Sequence, residues 1–351
     1  MPIKLRSTRR GSRLLPRLAW LALILAALYS AAWFGAVQLA GPYAQQWLQS
    51  EAAQGRQWAC NAPAISGFPF GLRLACAQPV LTMTGEAGAQ VFTAKSLLLS
   101  FDVFSPLQFA ARIEAPVTAK LKTGDTATLA AREVKAVAEL QLGGAETALR
   151  GLRLSAEAPD LVVTSTTGRG FAGKAAQARF SLSATPGGHD LAFDAEGAKI
   201  PALEALTQNP APATLHIVGL LEKFDLAGRG SPIERIERWR AAGGVLTFAK
   251  SALGNGATQL EFSGPLSLDE ERRLAGKLAL SLTGGAPILQ RFGVPAAMLN
   301  PGALLGALLG KAKKPTEPAA EAGAIVLDLK LQDGKALAGP LPLPVELRAL
   351  Y

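Results

Sequence analysis

Two rhythms divide the chain. From Leu18 to Leu39 no residue carries a formal charge and most are apolar, whereas beyond Pro79 apolar and polar positions alternate in short runs. The first stretch is 22 residues long. At about 1.5 Å per residue it makes roughly 33 Å of helix, enough to cross a hydrocarbon core with modest tilt. A cleaved secretory signal is the competing reading, but Val37-Gln38-Leu39-Ala40 is a poor A-x-A site and the run exceeds the usual signal core. Trp20, Tyr29 and Trp33 suit a span with interfacial aromatics at or near its ends. The pattern predicts an uncleaved transmembrane signal anchor over residues 18–39.

The alternation has period two. Val134, Ala136, Ala138, Leu140 and Leu142 interleave with Lys135, Glu139 and Gln141, and Leu152, Leu154 and Ala156 with Arg153, Ser155 and Glu157. The rhythm returns through Phe180, Leu182 and Ala184, through Leu260, Phe262 and Leu266, through Leu278, Leu280 and Leu282, and through Ile325, Leu327, Leu329 and Leu331. Successive side chains on a strand point to opposite faces, so these runs predict half-buried strands in an antiparallel sheet with one polar face. Asp333-Gly334, two residues that tolerate positive φ, predict a hairpin to a short return strand around 336–338.

Three helical interruptions break the rhythm. Ser231-Pro232-Ile233-Glu234 combines an N-cap, a first-turn proline and a capping-box acid, and predicts a helix to about Ala242, where Gly243 and Gly244 stop it. Ile233, Ile236 and Trp239 would face the sheet. A shorter helix follows Pro201 through Leu203 and Leu206 and ends before Asn209-Pro210. The third candidate covers residues 287–310 in two pieces broken near Asn300-Pro301. Within it Gly302, Gly306 and Gly310 recur at small-x-x-x-small spacing among Leu304, Leu305, Leu308 and Leu309, which permits close helix packing. It is too short for a second span, leaving a groove-capping helix or a membrane-surface contact aided by Lys311, Lys313 and Lys314. Residues 311–323, rich in Lys, Pro, Glu and Ala, predict a flexible linker before the final hairpin.

Charge sharpens the address. The formal net charge is +9, but Lys4, Arg6, Arg9, Arg10, Arg13 and Arg17 supply six of the 36 basic residues, leaving 30 against 27 acidic ones. An excess of basic residues before an anchor keeps that end cytoplasmic, so residues 1–17 form a cytoplasmic tail and 43–351 an exported domain. The exported part is nearly balanced and has no Lys/Arg run interleaved with aromatics, which argues against nucleic acid as a partner. The tail is better explained by topology and anionic lipid.

Cys60 and Cys76 are the two cysteines, both just beyond the anchor. A disulfide suits an oxidising compartment; two free thiols or half of a metal site are the alternatives, and a metal site would have to draw on His189 and His216. Between the cysteines lie Gly67, Phe68, Pro69 and Phe70. Structurally, Pro69 fixes the backbone and the two rings cap one end of a core. Functionally, the rings would form an exposed docking wedge. Neither reading offers acid–base or nucleophilic chemistry.

The arrangement Trp58-x-Cys60, Gly67-Phe68-Pro69-Phe70, Cys76 and Pro79, shortly after a signal anchor, resembles an alphaproteobacterial family of exported proteins, domain of unknown function 2125. The ending Leu329-x-Leu331-x-Asp333-Gly334-Lys335 with Gly339-Pro340 carries the same likeness. The resemblance implies a β-rich envelope protein and brings no catalytic residues with it. In anchor plus repetitive β architecture the chain also resembles AsmA-like envelope proteins, whose long β grooves take lipids.

Enzymatic signatures fail in turn. Gly168 to Lys174 has the spacing of a phosphate-binding loop, but Ala175 replaces the required Ser/Thr and the surroundings are strand-like. H-E-x-x-H, G-x-S-x-G and S-x-x-K do not occur. His189-Asp190 after Pro186-Gly187-Gly188 reads as a turn, and His216 as a side chain on a strand. The expected protein is mainly β, an elongated curved antiparallel sheet with a few packed helices behind one transmembrane helix. It sits in the bacterial inner membrane with its main domain periplasmic, without catalytic residues, cofactor or metal. Its expected role is handling lipid or another hydrophobic ligand in a groove, alongside other envelope proteins. The alternative is a scaffold with a closed β core that docks partners at its edges or at Phe68 and Phe70.

Overall fold

A computed structural model describes residues 14–85, 88–121, 124–143, 146–166, 170–226, 232–285, 288, 324–338 and 341–351. It opens with helix α1, Leu14–Ala53. The apolar stretch Pro16–Gly35 within it is long and apolar enough to cross a membrane. The helix continues well past Leu39, where the apolar pattern stops. Residues 43–53 are mostly helix-favouring Ala, Gln and Leu, and this part lies against the first strand, so propensity and packing carry the helix through Pro42.

The twenty strands among the described residues belong to one antiparallel sheet. β1 (Arg56–Ser66) and β2 (Gly71–Gly85) form the first hairpin, tied by a disulfide between Cys60 and Cys76. The next ten strands come as five pairs. They are β3 (Gly88–Thr93) with β4 (Ser96–Asp102), β5 (Ser105–Glu114) with β6 (Val117–Lys120), and β7 (Thr126–Ala130) with β8 (Glu133–Gly143). β9 (Glu146–Glu157) with β10 (Asp160–Thr164) and β11 (Phe171–Lys174) with β12 (Gln177–Thr185) complete them.

Each pair is one long strand bent in its middle. β2 pairs with β4 through Gly71–Ala77 and with β3 through Val80–Gly85. Glu133 opposes Glu157 and Ala130 opposes Asp160, so the register between neighbours runs unchanged through the bend. The bends align into a crease across the sheet. Gln78, Ala158 and Gly197 take positive φ there, and backbone bonds such as Arg132 N to Glu157 O and Ala158 N to Ala176 O, both 2.8 Å, keep the crease hydrogen-bonded.

From β13 (Gly188–Ala198) onward the sheet is a plain meander. α2 (Pro201–Thr207) precedes β14 (Ala213–Leu221), and α3 (Pro232–Ala241) precedes β15 (Leu246–Asn255). β16 (Thr258–Leu268), β17 (Leu274–Thr283), β18 (Ile325–Gln332), β19 (Lys335–Ala338) and β20 (Leu341–Glu346) follow, each antiparallel to its predecessor. The sheet is open: among the described residues β1 and β20 each have a strand partner on one side. Asp333 and Gly334 turn β18 into β19 with φ of 53° and 75°. The helical candidate at 287–310, with Leu304, Leu305 and Leu308, and the linker 311–323 lie outside the described residues apart from Ile288.

Two polar devices hold the meander where its ladder is irregular. The register between β14 and β15 shifts between His216 and Gly219. There the fully buried Ser251 hydroxyl accepts from Val218 N at 3.0 Å and donates to Val218 O at 3.1 Å, taking the place of a strand neighbour. At the other end of β15, buried Asn255 accepts from Thr207 Oγ1 at 2.7 Å and donates to Ala211 O at 2.5 Å, fastening α2.

α3 closes the end of the sheet formed by β14 to β17. Trp239, buried, donates its indole N–H to Glu222 O at 2.7 Å, while Ile233 and Ile236 are half-buried. Gly244 is obligatory beneath that ring, because a Cβ there would lie 2.1 Å from Nε1. Glu237 gathers Arg240 at 2.7 Å, the Tyr351 hydroxyl at 2.7 Å and Arg272 at 3.2 Å. Arg240 first, then Tyr351, hold its carboxyl down at about 2, against an ordinary 4.5.

Ser251→Ala leaves the Val218 amide and carbonyl buried and unpaired, and should destabilise the domain by about 2 kcal/mol in urea unfolding. Because the folded-state pKa of Glu237 is depressed, its contribution is complete above pH 4.5 and is lost as pH falls from 4.5 to about 2. Carboxyl NMR should follow that titration, and Glu237→Gln should abolish the accompanying acid shift of the Tyr351 ring signals.

Candidate functional site

Cross-strand register turns alternation into two continuous faces. Starting from Cys76 in β2, directly opposed residues run through Leu97, Ile113, Val134, Ala156, Ala178 and Ala195, then Leu215, Leu253, Leu260, Leu282 and Ile325. Every member of this lane is apolar, from β2 to β18. With neighbouring strands about 4.8 Å apart, the lane is roughly 50 Å long. A second lane on the same face passes through Leu74, Leu99, Ala111, Ala136, Leu154, Phe180, Phe193 and Ile217. A third begins at Leu72 and continues through Phe101, Phe109, Ala138, Leu152, Leu182 and Leu191.

The lanes are lined by short side chains in their middle. Alanines at 111, 136, 138, 156, 178 and 195 put short side chains where the flanking strands carry Leu and Phe. Leu182, Ala195 and Leu282 are buried, yet Leu99, Phe109 and Leu154 keep 40%, 44% and 38% of their surface exposed. Among the described residues, the one helix that packs extensively on a strand is α1, on β1. α3, with Ile233, Ile236 and Trp239, makes its bonds to strand ends and connections at Glu222, Asp269 and Arg272.

The opposite face is polar. Arg112, Lys135, Ser155, Arg179, Asp194 and His216 stand in one row, with Glu133 bonded to Lys135 at 2.6 Å and to Arg112 at 2.9 Å. Lys135 chiefly holds the Glu133 carboxyl below its usual range. His216 Nδ1 meets Asp194 Oδ1 at 2.6 Å, a pair the strand assignment of His216 alone did not predict. His189 also lies on a strand, opposite Ala184 in the β12–β13 hairpin, because the turn proper is complete at Gly187. The Phe171–Lys174 part of the loop-like motif is β11. Beyond the crease, an open cleft of about 460 Å³ is lined by Val162, Val163, Phe171, Pro201 and small neighbours, none of them titratable. Among the described residues no three His, Cys, Asp or Glu side chains converge to hold a metal ion.

The Gly67–Phe70 turn joins the sheet to the helix. Gly67 has φ +117° and a Cβ there would sit 2.7 Å from Gly71 O, so the turn needs glycine. Gly71 N closes it on Gly67 O at 3.0 Å. Against it lie α1 side chains: Trp33 Nε1 donates to Gly71 O at 3.0 Å, the Tyr29 hydroxyl donates to Pro69 O, and Phe68 stacks on Phe34 at 5.8 Å. At the far end of β1, Trp47 meets Trp58 and Glu51 pairs with Arg56 at 2.5 Å. On the other flank Phe70 accepts from Val103 N at 3.1 Å, and its ring lies 6.0 Å from Phe104. Val103-Phe104, two apolar residues at a hairpin tip, were the available signal for this second half of the cluster.

No curated protein and no solved structure matches the chain. The family described as an uncharacterized protein conserved in bacteria, domain of unknown function 2125, matches residues 33–344, and the chain belongs to it.

Proposed function

We propose that this protein is a non-catalytic factor of the bacterial envelope, held in the inner membrane by α1, whose periplasmic sheet carries lipid or another hydrophobic ligand along its apolar face. The observation that carries this reading is the lane from Cys76 to Ile325, unbroken by any polar residue and left partly open. An apolar surface of that extent on a single sheet needs a cover, and acyl chains match its chemistry and its lack of hydrogen-bonding groups. The small residues at the centre leave depth for such a chain. The disulfide suits an oxidising compartment and the basic residues before α1 suit a cytoplasmic tail, which together support the periplasmic placement. Titratable pairs such as Asp194–His216 stand on the other face, in water, which favours binding over bond chemistry for the apolar one.

Reconstituted into phosphatidylethanolamine/phosphatidylglycerol vesicles containing a diazirine-bearing phospholipid, the full chain should acquire adducts at lane positions such as Leu154, Phe180 and Phe193 as well as on α1. Ala156→Glu places a carboxylate in the lane and should remove most of the sheet adducts. Adducts confined to α1 would refute the reading. In spheroplasts, added protease should digest residues 43–351 and spare an epitope fused to the tail; a protected domain would reverse the topology.

A further inference from the structure

The aromatic turn is fastened to α1 before the helix's apolar stretch has ended. That stretch is Pro16–Gly35, and both Tyr29 and Trp33, which bond to Pro69 and Gly71, fall inside it. At about 1.5 Å per residue, Trp33 is roughly 3 Å and Tyr29 roughly 9 Å short of Gly35 along the axis. A helix that spans with this stretch carries the turn down to the level of the headgroups and first methylenes. β1 has the matching direction. It leaves Trp58 beside Trp47 and returns along α1 to Phe68 beside Phe34, so the first hairpin points back toward the membrane.

What the hairpin presents there is apolar. Phe68, Phe70 and Phe104 are 48%, 62% and 77% exposed, and Val103 is 44% exposed. The two tips are joined by the Val103–Phe70 backbone bond and the Phe70–Phe104 ring contact, making one body. Asp102 stands behind it, its carboxylate accepting from Phe104 N at 2.8 Å, so charge begins one residue back from the tip. Large exposed aromatics clustered beside a membrane-spanning helix match an interface of apolar chains and headgroups better than they match water.

We propose that Phe68, Phe70, Val103 and Phe104 form a wedge that inserts into the bilayer leaflet on the domain's side, beside α1. The partner is the lipid surface itself, and the site is continuous with the span. The proposal rests on the anchoring part of the function above and is independent of whether the lanes carry a ligand. With the wedge seated, the third lane starts at the membrane surface, since Leu72 and Phe101 follow directly behind Gly71 and Asp102.

The test uses the full chain in phosphatidylethanolamine/phosphatidylglycerol vesicles, with one engineered thiol at a time carrying an environment-sensitive dye; Cys60 and Cys76 are occupied by their disulfide. Phe104→Cys reports the wedge, Leu25→Cys the span, and Ala257→Cys, exposed at the opposite end of the sheet, the aqueous reference. Lipids spin-labelled near the headgroup should quench most emission from Phe104→Cys and leave Ala257→Cys unchanged, lipids spin-labelled deep in the acyl chain should quench Leu25→Cys, and aqueous iodide should quench Ala257→Cys and spare Phe104→Cys. Val103→Cys repeats the reading one residue away. If Leu25→Cys is quenched by lipid but positions 103 and 104 behave like 257, the wedge is wrong and the anchor stands. If Leu25→Cys escapes lipid quenching as well, both are wrong.

Discussion

A one-residue slip anywhere in an antiparallel ladder would move every later apolar side chain to the other face. The architecture depends on preventing that slip. Twelve successive strands between Cys76 and Ile325 keep one face apolar because each hairpin holds its neighbour in register, even where long strands bend at the crease. At one of the places where the ladder loses a step, between β14 and β15, the Ser251 hydroxyl fills the gap in the hydrogen bonding without disturbing the lane at Leu215 and Leu253. Register thus converts a simple repeat of composition into a directional surface.

The second constraint is the union of α1 with the first hairpin. A helix that ended at Leu39 would leave the sheet on a flexible leash. Instead α1 reaches Ala53 and is fixed to the first hairpin at two levels, by Trp47 and Glu51 at the start of β1 and by Tyr29, Trp33 and Phe34 at the Gly67–Phe70 turn. Two attachments separated along a rod define an orientation as well as a position. The helix is therefore a strut, and the disulfide between Cys60 and Cys76 braces the hairpin that bears on it.

Much of this was legible before the fold was known. Period-two runs marked β8, β9, β12, β16, β17 and β18, and Asp333-Gly334 marked the turn into β19, because a half-buried strand and a positive-φ turn each leave a local signature. The helices after Pro201 and Pro232 were legible for the same reason. What local pattern could not supply was the pairing between strands. The crease is set by positive φ at Gln78 and Ala158, residue types that carry no turn signal, and the partnership of His216 with Asp194 exists through register alone. The Phe68 turn is visible as a motif, but its partners on α1 lie more than thirty residues upstream, where the local pattern marks only the end of a span.

Chain order has one more implication. From β13 onward each strand pairs with the strand before it, and in the bent part each long strand lies beside its predecessor in the same way. Such a sheet has low contact order, which shortens the loops that must close during folding. On the proposed export of the domain behind α1, the first hairpin can settle on α1 as soon as it emerges. Every later strand then finds its template already waiting, so growth can keep pace with delivery and advance at a single edge.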